Sequence, residues 1–452
     1  MLTNHKHCHF VYLTQPLAFA SRLPRLGFIA LVPLRVILVA WSLLYALLFR
    51  LESTPQFIIV QNPPSIPTLP VLKLVNAVTH SKLVIDWHNT GYSVLALRLG
   101  TNHPVVKLAR AFEFGFGRSA HAHLCVTEGM KQSLQKDAQL KGNVRVFYDR
   151  PPSTFHRLSA EEAHEFFSRE PTFVADSSLS SFRSNDLPNS TLFTQKPDSG
   201  PAMFDRDRPA LLVSATSWTP DEDFNILLEA LSLYDKAFTS YEQAKGGLRS
   251  GSRERERTIK LPKIVVVVTG KGAGRTNFEQ RVTELENTEW KNVKVRTSWL
   301  AIEDYPKLLG SADLGICLHT STSGVDLPMK VVDMFGCELP VCAVDFPCLI
   351  ELVRNGRNGV VFQTAQDLAN SLIDLLRYKQ REEPEITEVG EGLYPLTSKL
   401  AELKQGIRTV SYGHSRQSQQ EKGDAASLTD SGLHAWRDWN TNWNQVVKPL
   451  LL

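Results

Sequence analysis

Short apolar runs alternate with stretches of helical spacing along most of the chain. Runs of the kind that form buried strands occur at 56–61, 82–86, 123–127, 144–148, 210–214, 264–269, 293–297, 314–317, 340–344 and 359–362. Apolar residues recur every three or four positions, as in amphipathic helices, at 71–79, 103–116, 128–140, 223–233 and 278–287. Strands that alternate with helices in this way predict βαβ units and parallel sheets, so the expected fold class is α/β.

The most apolar segment lies near the N-terminus. Residues 26–49 contain one charge, Arg35, and one proline, Pro33, which is expected to break the run. About 20 apolar residues can cross a membrane, but a central Arg costs roughly 2.5–3.5 kcal/mol on insertion scales. The segment starts too late for a signal peptide and lacks a small-residue cleavage pattern. A membrane span, a core helix and an interfacial helix all stay open.

Polar stretches predict the domain boundaries. Two tracts, 245–260 and 380–431, have the composition of disordered insertions. Trp436, Trp439 and Trp443 follow a helical spacing near the C-terminal end. The expected organisation is a Rossmann-like domain over 1–160, a linker over 161–208, a second Rossmann-like domain over 209–380, a polar insertion over 381–431 and a closing helix over 432–452. A ligand cleft is expected between the Rossmann-like domains.

Composition removes several classes of protein. Charged residues make up 21% of the chain and hydrophobic residues 42%, which is too apolar for general disorder. The net charge of +3 gives no reason to expect nucleic-acid binding. Six cysteines without a C-x-x-C pair or zinc spacing suit a reducing compartment and argue against a structural metal site. The class of protein that still fits this composition is a large α/β enzyme.

A Gly-rich turn follows the predicted strand at 264–269. Gly270 and Gly272 would let the backbone approach a phosphate closely, and Lys271 adds positive charge. The turn matches neither the P-loop pattern nor the dinucleotide fingerprint. The alternative is a plain turn between a strand and a helix.

A second polar turn follows the predicted strand at 210–214. Ser217, Trp218 and Thr219 could contact a nucleotide there. Asp221 and Asp223 match the D-x-D pattern of metal-dependent glycosyltransferases. They also stand at a predicted helix start, where acidic residues are favoured without any metal.

A loop of small residues precedes another predicted helix, whose free N–H groups would favour a diphosphate. Lys330 and Asp333 lie three positions apart and therefore share a helix face. A carboxylate here could accept sugar hydroxyls, and Lys330 could neutralise a leaving phosphate. The alternative is an N-cap aspartate with a surface ion pair. The candidate residues of this segment are Ser323, Gly324, Asp326, Lys330 and Asp333.

In the first half of the chain, Asp86 and His88 end a predicted strand, where α/β sheets place ligand-binding groups. Histidine can act as a general base near neutral pH, although a single histidine is often structural. Glu113, Asp149 and Arg150 are further candidates with the same alternative.

Seven stretches carry a family resemblance, in this order: QNPPSIPTLP, VIDWHNTGYSVLALRLG, HPVVKLARAFEFGFGRSAHAHLCVT, VFYDRPP, SATSWTPDEDFNILLEAL, VVTGKG and TSTSGVDLPMKVVDMFGCELPVCAVDF. They closely resemble the chitobiosyldiphosphodolichol β-mannosyltransferase family. The resemblance implies a GT-B fold, with an N-terminal acceptor domain and a C-terminal GDP-mannose domain. It also implies an inverting transfer that makes a β-1,4-mannoside on dolichol-diphosphate-linked chitobiose, at the cytosolic face of the endoplasmic reticulum membrane.

The resemblance implies roles for the candidate residues. The donor diphosphate would rest on the helix after Gly324, with Lys271 and Lys330 offsetting charge as GDP leaves. Asp326 and Asp333 would hold donor hydroxyls, and the Ser-Trp-Thr and Gly-rich turns would contact the phosphates or the nucleotide. No protein ligand set for a metal is evident, which leaves open whether a divalent cation such as Mg²⁺ assists.

The acceptor side would supply the base. His88 is expected to take the proton of the acceptor hydroxyl, with Asp86 and Glu113 behind it. The apolar N-terminal segment would meet the bilayer and admit the dolichol-linked substrate. Other mannosyltransferases of the pathway are further expected partners.

One departure from the family keeps alternatives open. The family normally begins with an anchor, a first strand and a Gly-rich loop of the GDVGRSPRM type, and residues 1–10 lead directly into a later segment instead. The acceptor domain is therefore expected to lack its first βα unit, which would leave neighbouring strands unpaired. The alternatives are an inactive GT-B subunit of a membrane glycosylation complex and a soluble retaining enzyme acting on small metabolites.

Overall fold

The chain divides into two compact units in the computed structural model. It describes residues 8–13, 24–184, 187–219, 221–247, 259–321, 324–379, 398–411 and 438–452. The first unit consists of Met1–Tyr148, Thr322–Asp326 and Asn440–Leu452, and the second of Asp149–Ser321 and Leu327–Trp439. Each unit contains its own parallel sheet, which confirms the α/β class.

A four-stranded sheet forms the middle of the first unit, with its parallel strands side by side in chain order. The strands are β1 (Phe57–Asn62), β2 (Lys82–Trp87), β3 (Ser119–Cys125) and β4 (Lys141–Val146). The helices of this unit's first stretch are α1 (Arg25–Phe49), α2 (Thr68–Thr79), α3 (Gly91–Leu99), α4 (Pro104–Gly117) and α5 (Glu128–Asp137). Leu83, Ile85 and Trp87 of β2 are fully buried, so the end of this strand is held rigidly by the core.

Helix α1 runs unbroken through Pro33, so the expected break is wrong. Proline removes one intrahelical hydrogen bond, and the apolar residues on both sides continue the helix nevertheless. Residues Ala30–Phe49 are the one described helix long and apolar enough to cross a membrane, and they are almost entirely unburied. Within the unit this helix packs mainly against α2, and Leu47 also contacts the unit's buried core.

The second unit is built on a six-stranded parallel sheet in the order β10-β9-β7-β11-β12-β13. Its strands, including short pairs outside that sheet, are β5 (Thr194–Gln195), β6 (Met203–Phe204), β7 (Ala210–Ala215), β8 (Ile259–Lys260), β9 (Ile264–Thr269), β10 (Val293–Ser298), β11 (Leu314–Cys317), β12 (Val341–Val344), β13 (Gly359–Phe362) and β14 (Tyr378–Lys379). Its helices are α6 (Ala160–Arg169), α7 (Pro171–Val174), α8 (Phe224–Gly247), α9 (Arg275–Thr288), α10 (Tyr305–Ser311), α11 (Met329–Gly336), α12 (Ala365–Leu376) and α13 (Ser398–Ser411). Every residue of β7 and β9 is buried, as expected for strands with helices on both faces.

The segment predicted as a linker, 161–208, is instead a folded part of the second unit. Helix α6 begins with a capping box between Ser159 and Glu162. Phe167 packs against Phe173 and Phe193 with ring centroids 5.2 and 4.6 Å apart. The segment is polar in overall composition, but it contains a few large apolar residues, and these are sufficient to anchor it.

The polar tract 380–431 contains helix α13, which the sequence analysis did not predict. Leu400, Leu403 and Ile407 bury one side of it, at the spacing of an amphipathic helix. The rest of that tract lies outside the described residues, as do 248–258 of the other predicted insertion.

The predicted C-terminal helix is present but shorter, as α14 (Trp439–Val446), and it belongs to the first unit. Trp443 packs against Phe147 with ring centroids 6.2 Å apart. The Asn442 side chain donates to the Tyr148 carbonyl over 3.1 Å. Trp436 lies outside the described residues.

Candidate active site

In the second unit, a tight turn follows β7 at Thr216, Ser217 and Trp218. The Trp218 N–H donates to the Thr216 hydroxyl over 2.7 Å, and Trp218 adopts a left-handed backbone with φ of 55°. Its ring lies 4.8 Å from that of Phe224 and 5.2 Å from that of Phe278. Packing therefore fixes the Trp218 ring, while Ser217 and Thr219 stay exposed as candidate ligand contacts.

The Gly-rich turn after β9 lies directly against this first turn. A Cβ on Gly270, where φ is 153°, would come within 1.8 Å of the Thr216 carbonyl oxygen. A Cβ on Gly272 would lie 2.7 Å from the Ser217 carbonyl oxygen. Close backbone packing thus accounts for both glycines without a phosphate. Lys271 is exposed, with its Nζ 4.3 Å from the centre of the Trp299 ring.

A buried carboxylate, Glu222, joins the first turn to α11. One of its oxygens pairs with the Lys330 ammonium, and the other accepts from the Thr216 hydroxyl. The second oxygen also accepts from the Ser217 N–H over 3.2 Å. Its side chain is 1% exposed, whereas that of Lys330 is 21% exposed. This role of Glu222 cannot be predicted from the sequence, because nothing there places it beside a lysine 108 positions away.

A second acid–base pair, also missed from the sequence, lies beside it. His319 Nδ1 is 2.7 Å from Asp221 Oδ2, and Thr320 donates from both its N–H and its hydroxyl to the Asp221 carbonyl. Burial opposes ionisation of Asp221, but hydrogen bonds from Thr219 and the main chain, together with His319, lower its pKa. His319 follows a buried strand, the same signal that selected His88.

The D-x-D pattern does not assemble a metal site. Asp221 pairs with His319, Glu222 with Lys330, and Asp223 accepts from the N–H and side-chain amide of Asn225. Across the described residues, no group of three or more His, Cys, Asp or Glu side chains could hold a metal ion. All three carboxylates therefore contact other groups of the protein.

The loop-and-helix segment is divided between the units. Gly324 and Asp326 belong to the first unit, whereas Lys330 and Asp333 on α11 belong to the second. The predicted alternative of an N-cap aspartate is wrong, since the residue before α11 is Pro328 and no side chain caps the helix. Burial raises the pKa of Asp333 to about 7. Ser323 lies outside the described residues.

In the first unit, Asp86 and His88 form a pair at the carboxyl end of β2. His88 Nε2 lies 3.0 Å from Asp86 Oδ2, with side-chain exposures of 30% and 21%. The His88 N–H donates to the Asn62 carbonyl over 3.0 Å, which ties the residue to β1. The pair is thus partly open to solvent and firmly oriented, as a general base requires.

Glu113 is fully buried and holds the start of α3. Its carboxylate accepts from the Asn62 side chain over 2.7 Å and from the Gly91 and Tyr92 N–H groups over 2.9 and 3.1 Å. A carboxylate at a helix N-terminus is stabilised by the helix dipole. Glu113 is therefore a buried positioning residue, connected to His88 through Asn62, and its carboxylate is not accessible to a substrate.

Comparisons with known proteins agree on the class of protein. Residues 252–378 match the family model described as Glycosyl transferases group 1. The chain is 41% identical to the Arabidopsis thaliana protein named UDP-glycosyltransferase TURAN, over 83% of this chain and 79% of that one. It is 42% identical to the Homo sapiens chitobiosyldiphosphodolichol beta-mannosyltransferase, over 75% and 68%, and 38% identical to that of Arthroderma benhamiae, over 83% and 75%.

Two solved structures share the fold. Sucrose-phosphate synthase from Thermosynechococcus elongatus gives a TM-score of 0.53 at 11% identity, covering 96% of this chain and 80% of that one. Anabaena HepE, solved in complex with UDP-glucose, gives 0.51 at 14% identity, covering 88% and 78%. The fold is that of GT-B glycosyltransferases, as expected.

Proposed function

The chain belongs to the chitobiosyldiphosphodolichol beta-mannosyltransferase family of glycosyltransferases, and from this premise we propose that it transfers mannose from GDP-mannose to dolichol-diphosphate-linked chitobiose. The observation that carries the proposal is the 42% identity with the human relative over 340 residues. The transfer inverts the donor linkage and makes the first mannoside, β-1,4-linked, of the lipid-linked oligosaccharide.

The donor binds the second unit in this proposal. Breaking the bond between mannose C1 and the phosphate oxygen leaves additional negative charge on GDP, and fixed positive charges stabilise it. Lys330 supplies one such charge, and its contact with buried Glu222 fixes its position. Exposed Lys271 supplies another, beside the turn that carries Ser217.

The first unit supplies the base. When His88 Nε2 carries its proton and donates to Asp86, the Nδ1 lone pair can take the proton of the acceptor hydroxyl. The hydroxyl oxygen bonds to mannose C1 as the bond to GDP breaks on the opposite face. Asp86 then stabilises the imidazolium that forms. Glu113 positions this region, because its oxygens already accept three hydrogen bonds.

Family membership implies association with a membrane, and helix α1 is the described element suited to it. We place the enzyme at the cytosolic face of the endoplasmic reticulum, where GDP-mannose and other mannosyltransferases of the pathway would be its partners.

The direct test is transfer from labelled GDP-mannose to a lipid-linked chitobiose acceptor, with product release by β-mannosidase. We expect β-mannosylated product, and we expect His88→Ala to lower kcat by roughly 10²–10⁴-fold because general bases contribute about that much. His156→Ala is the matched control, since His156 lies on the surface of the second unit with its side chain 56% exposed. Parallel reactions with EDTA measure any contribution of Mg²⁺. Full activity of His88→Ala would remove His88 as the base.

Two other outcomes would replace the proposal. The Arabidopsis relative is named a UDP-glycosyltransferase, so transfer from UDP-glucose but not from GDP-mannose would assign a different donor. Binding of GDP without transfer from either donor would favour an inactive subunit of a glycosylation complex.

A further inference from the structure

A groove of about 510 Å³ lies wholly within the first unit, among α3, α4 and α5. Its floor includes Met130 and Leu134, both almost fully buried. Thr90, which lines the groove, stands two residues after His88, so the groove includes part of the loop that follows β2 and carries the proposed base.

Helix α3 forms one wall and is unusually exposed for its composition. Its sequence, GYSVLALRL, is mostly apolar, yet none of its residues is buried. Leu97, which lines the groove, is 61% exposed, and Leu108 on α4 is 70% exposed. Water-facing apolar helices of this kind mark surfaces that meet an apolar partner.

Two cations line the same groove from α4. Lys107 and Arg110 are three positions apart and so share a helix face. The Lys107 ammonium makes no hydrogen bond or ion pair with any described residue. Arg110 donates to Asp137 over 3.0 Å and lies 5.0 Å from the centre of the Phe114 ring, contacts that orient its guanidinium.

An apolar wall beside two cations complements an amphiphile with a long hydrocarbon chain and a strongly anionic head. We propose that this groove binds the isoprenoid diphosphate end of the acceptor. The diphosphate contacts Lys107 and Arg110, and the first isoprene units lie along Leu97 above Met130 and Leu134. The inference rests on the proposed function, and it assigns the lipid end of the acceptor to residues other than the base.

The test uses the full chain in detergent and farnesyl diphosphate as the probe. We expect saturable binding that Lys107→Ala/Arg110→Ala weakens by at least about tenfold, because the variant loses the charge-assisted hydrogen bonds to the diphosphate. Leu97→Asn should weaken farnesyl diphosphate but leave inorganic diphosphate unchanged, because it removes apolar surface without adding a charge. The matched control is Arg281→Ala/Lys291→Ala, which removes two exposed cations from the second unit. Circular dichroism confirms that each variant folds.

Three results would overturn the groove assignment. They are farnesyl diphosphate affinity unaffected by the double variant, equal affinity for inorganic diphosphate alone, and equal affinity for soluble dihexanoyl phosphatidylserine.

In the transfer assay, the double variant should raise the acceptor KM about tenfold or more while the GDP-mannose KM stays within about twofold. Transfer with an unchanged acceptor KM would refute the groove assignment and leave the proposed function intact. Farnesyl diphosphate binding without transfer would refute the proposed function and leave the groove assignment intact.

Discussion

Asp333 on α11 is a carboxyl group whose protonation links pH to stability. Burial raises its pKa to about 7, whereas an aspartate exposed to water ionises near 3.8. Between these values the folded chain keeps a proton that the unfolded chain releases, so this group lowers stability as the pH rises through that window. The effect is at most about 1.4 kcal/mol for each pH unit.

Asp333→Asn removes this dependence. We expect the melting temperature of the variant, relative to the native chain, to be higher at about pH 7.5 than at about pH 4.5. Asp367→Asn is the control: hydrogen bonds from the Thr364 hydroxyl and N–H lower the pKa of Asp367, so its contribution to stability changes only below about pH 4 and its difference from the native chain should be nearly the same at both pH values. Identical differences at both pH values for Asp333→Asn would contradict the argument.

Single residues near strand ends were partly predictable from the sequence. Asp86 and His88 were found because a polar pair follows a buried strand, and the structure joins them at 3.0 Å. His319 carries the same signal and was overlooked. The ion pair of Glu222 with Lys330 could not be predicted, because it depends on how β7 and α11 are placed by the sheet.

Among the elements, the Gly-rich turn after β9 gives a direct test of backbone packing. Gly270→Ala would place a Cβ 1.8 Å from the Thr216 carbonyl oxygen at a φ that favours glycine. We expect a loss of about 2 kcal/mol or more in the free energy of unfolding, and lower donor affinity because the neighbouring turn must move.

The matched control for that change is Gly115→Ala. Gly115 lies within α4, and a Cβ there meets nothing within 4 Å. Alanine should therefore stabilise by roughly 0.5–1 kcal/mol. Urea unfolding of the two variants measures both values, and equal stability of the two would show that the turn adjusts freely.

Strands were the elements that the sequence predicted best. The ten predicted runs match strands of the two main sheets to within a few residues, since buried parallel strands are continuous apolar runs. The short helix α3 was not predicted. Its apolar residues are exposed and do not gather on one face, so the helical period is weak.

For the molecule as a whole, α1 presents an apolar stripe for membrane association. Ile37, Trp41, Tyr45 and Phe49 recur every four positions, and each side chain is more than half exposed. We expect Ile37→Asp/Trp41→Asp to lower the fraction bound to liposomes by about tenfold or more, because burial of each side chain contributes roughly 1.5–3 kcal/mol.

Ile302→Asp/Ile350→Asp is the control for the stripe, since these side chains in the second unit are 83% and 71% exposed. Liposome flotation compares the two double variants. Equal binding by both would mean that α1 does not carry the association.

At the level of domains, the sequence predicted two α/β halves but misplaced their limits. Composition labelled 161–208 as a linker, although its buried aromatic residues belong to the second unit. The sequence does not predict that residues 440–452 belong to the first unit. The Trp spacing indicates a packed helix, but it does not indicate which unit the helix packs against. The ligand cleft stays a prediction.

The first unit is built from segments that lie far apart in the sequence, and this has a consequence for biosynthesis. All of the second unit is encoded between Tyr148 and Asn440, within the sequence of the first. During translation, α14 leaves the ribosome only after the second unit's sheet has been synthesised. Phe147 and Tyr148 therefore lack their partners Trp443 and Asn442 until much later in translation, since Tyr148 and Asn442 lie 294 positions apart in the chain. The surface around Phe147 and Tyr148 is therefore incomplete for most of the chain's synthesis and must be protected during that time.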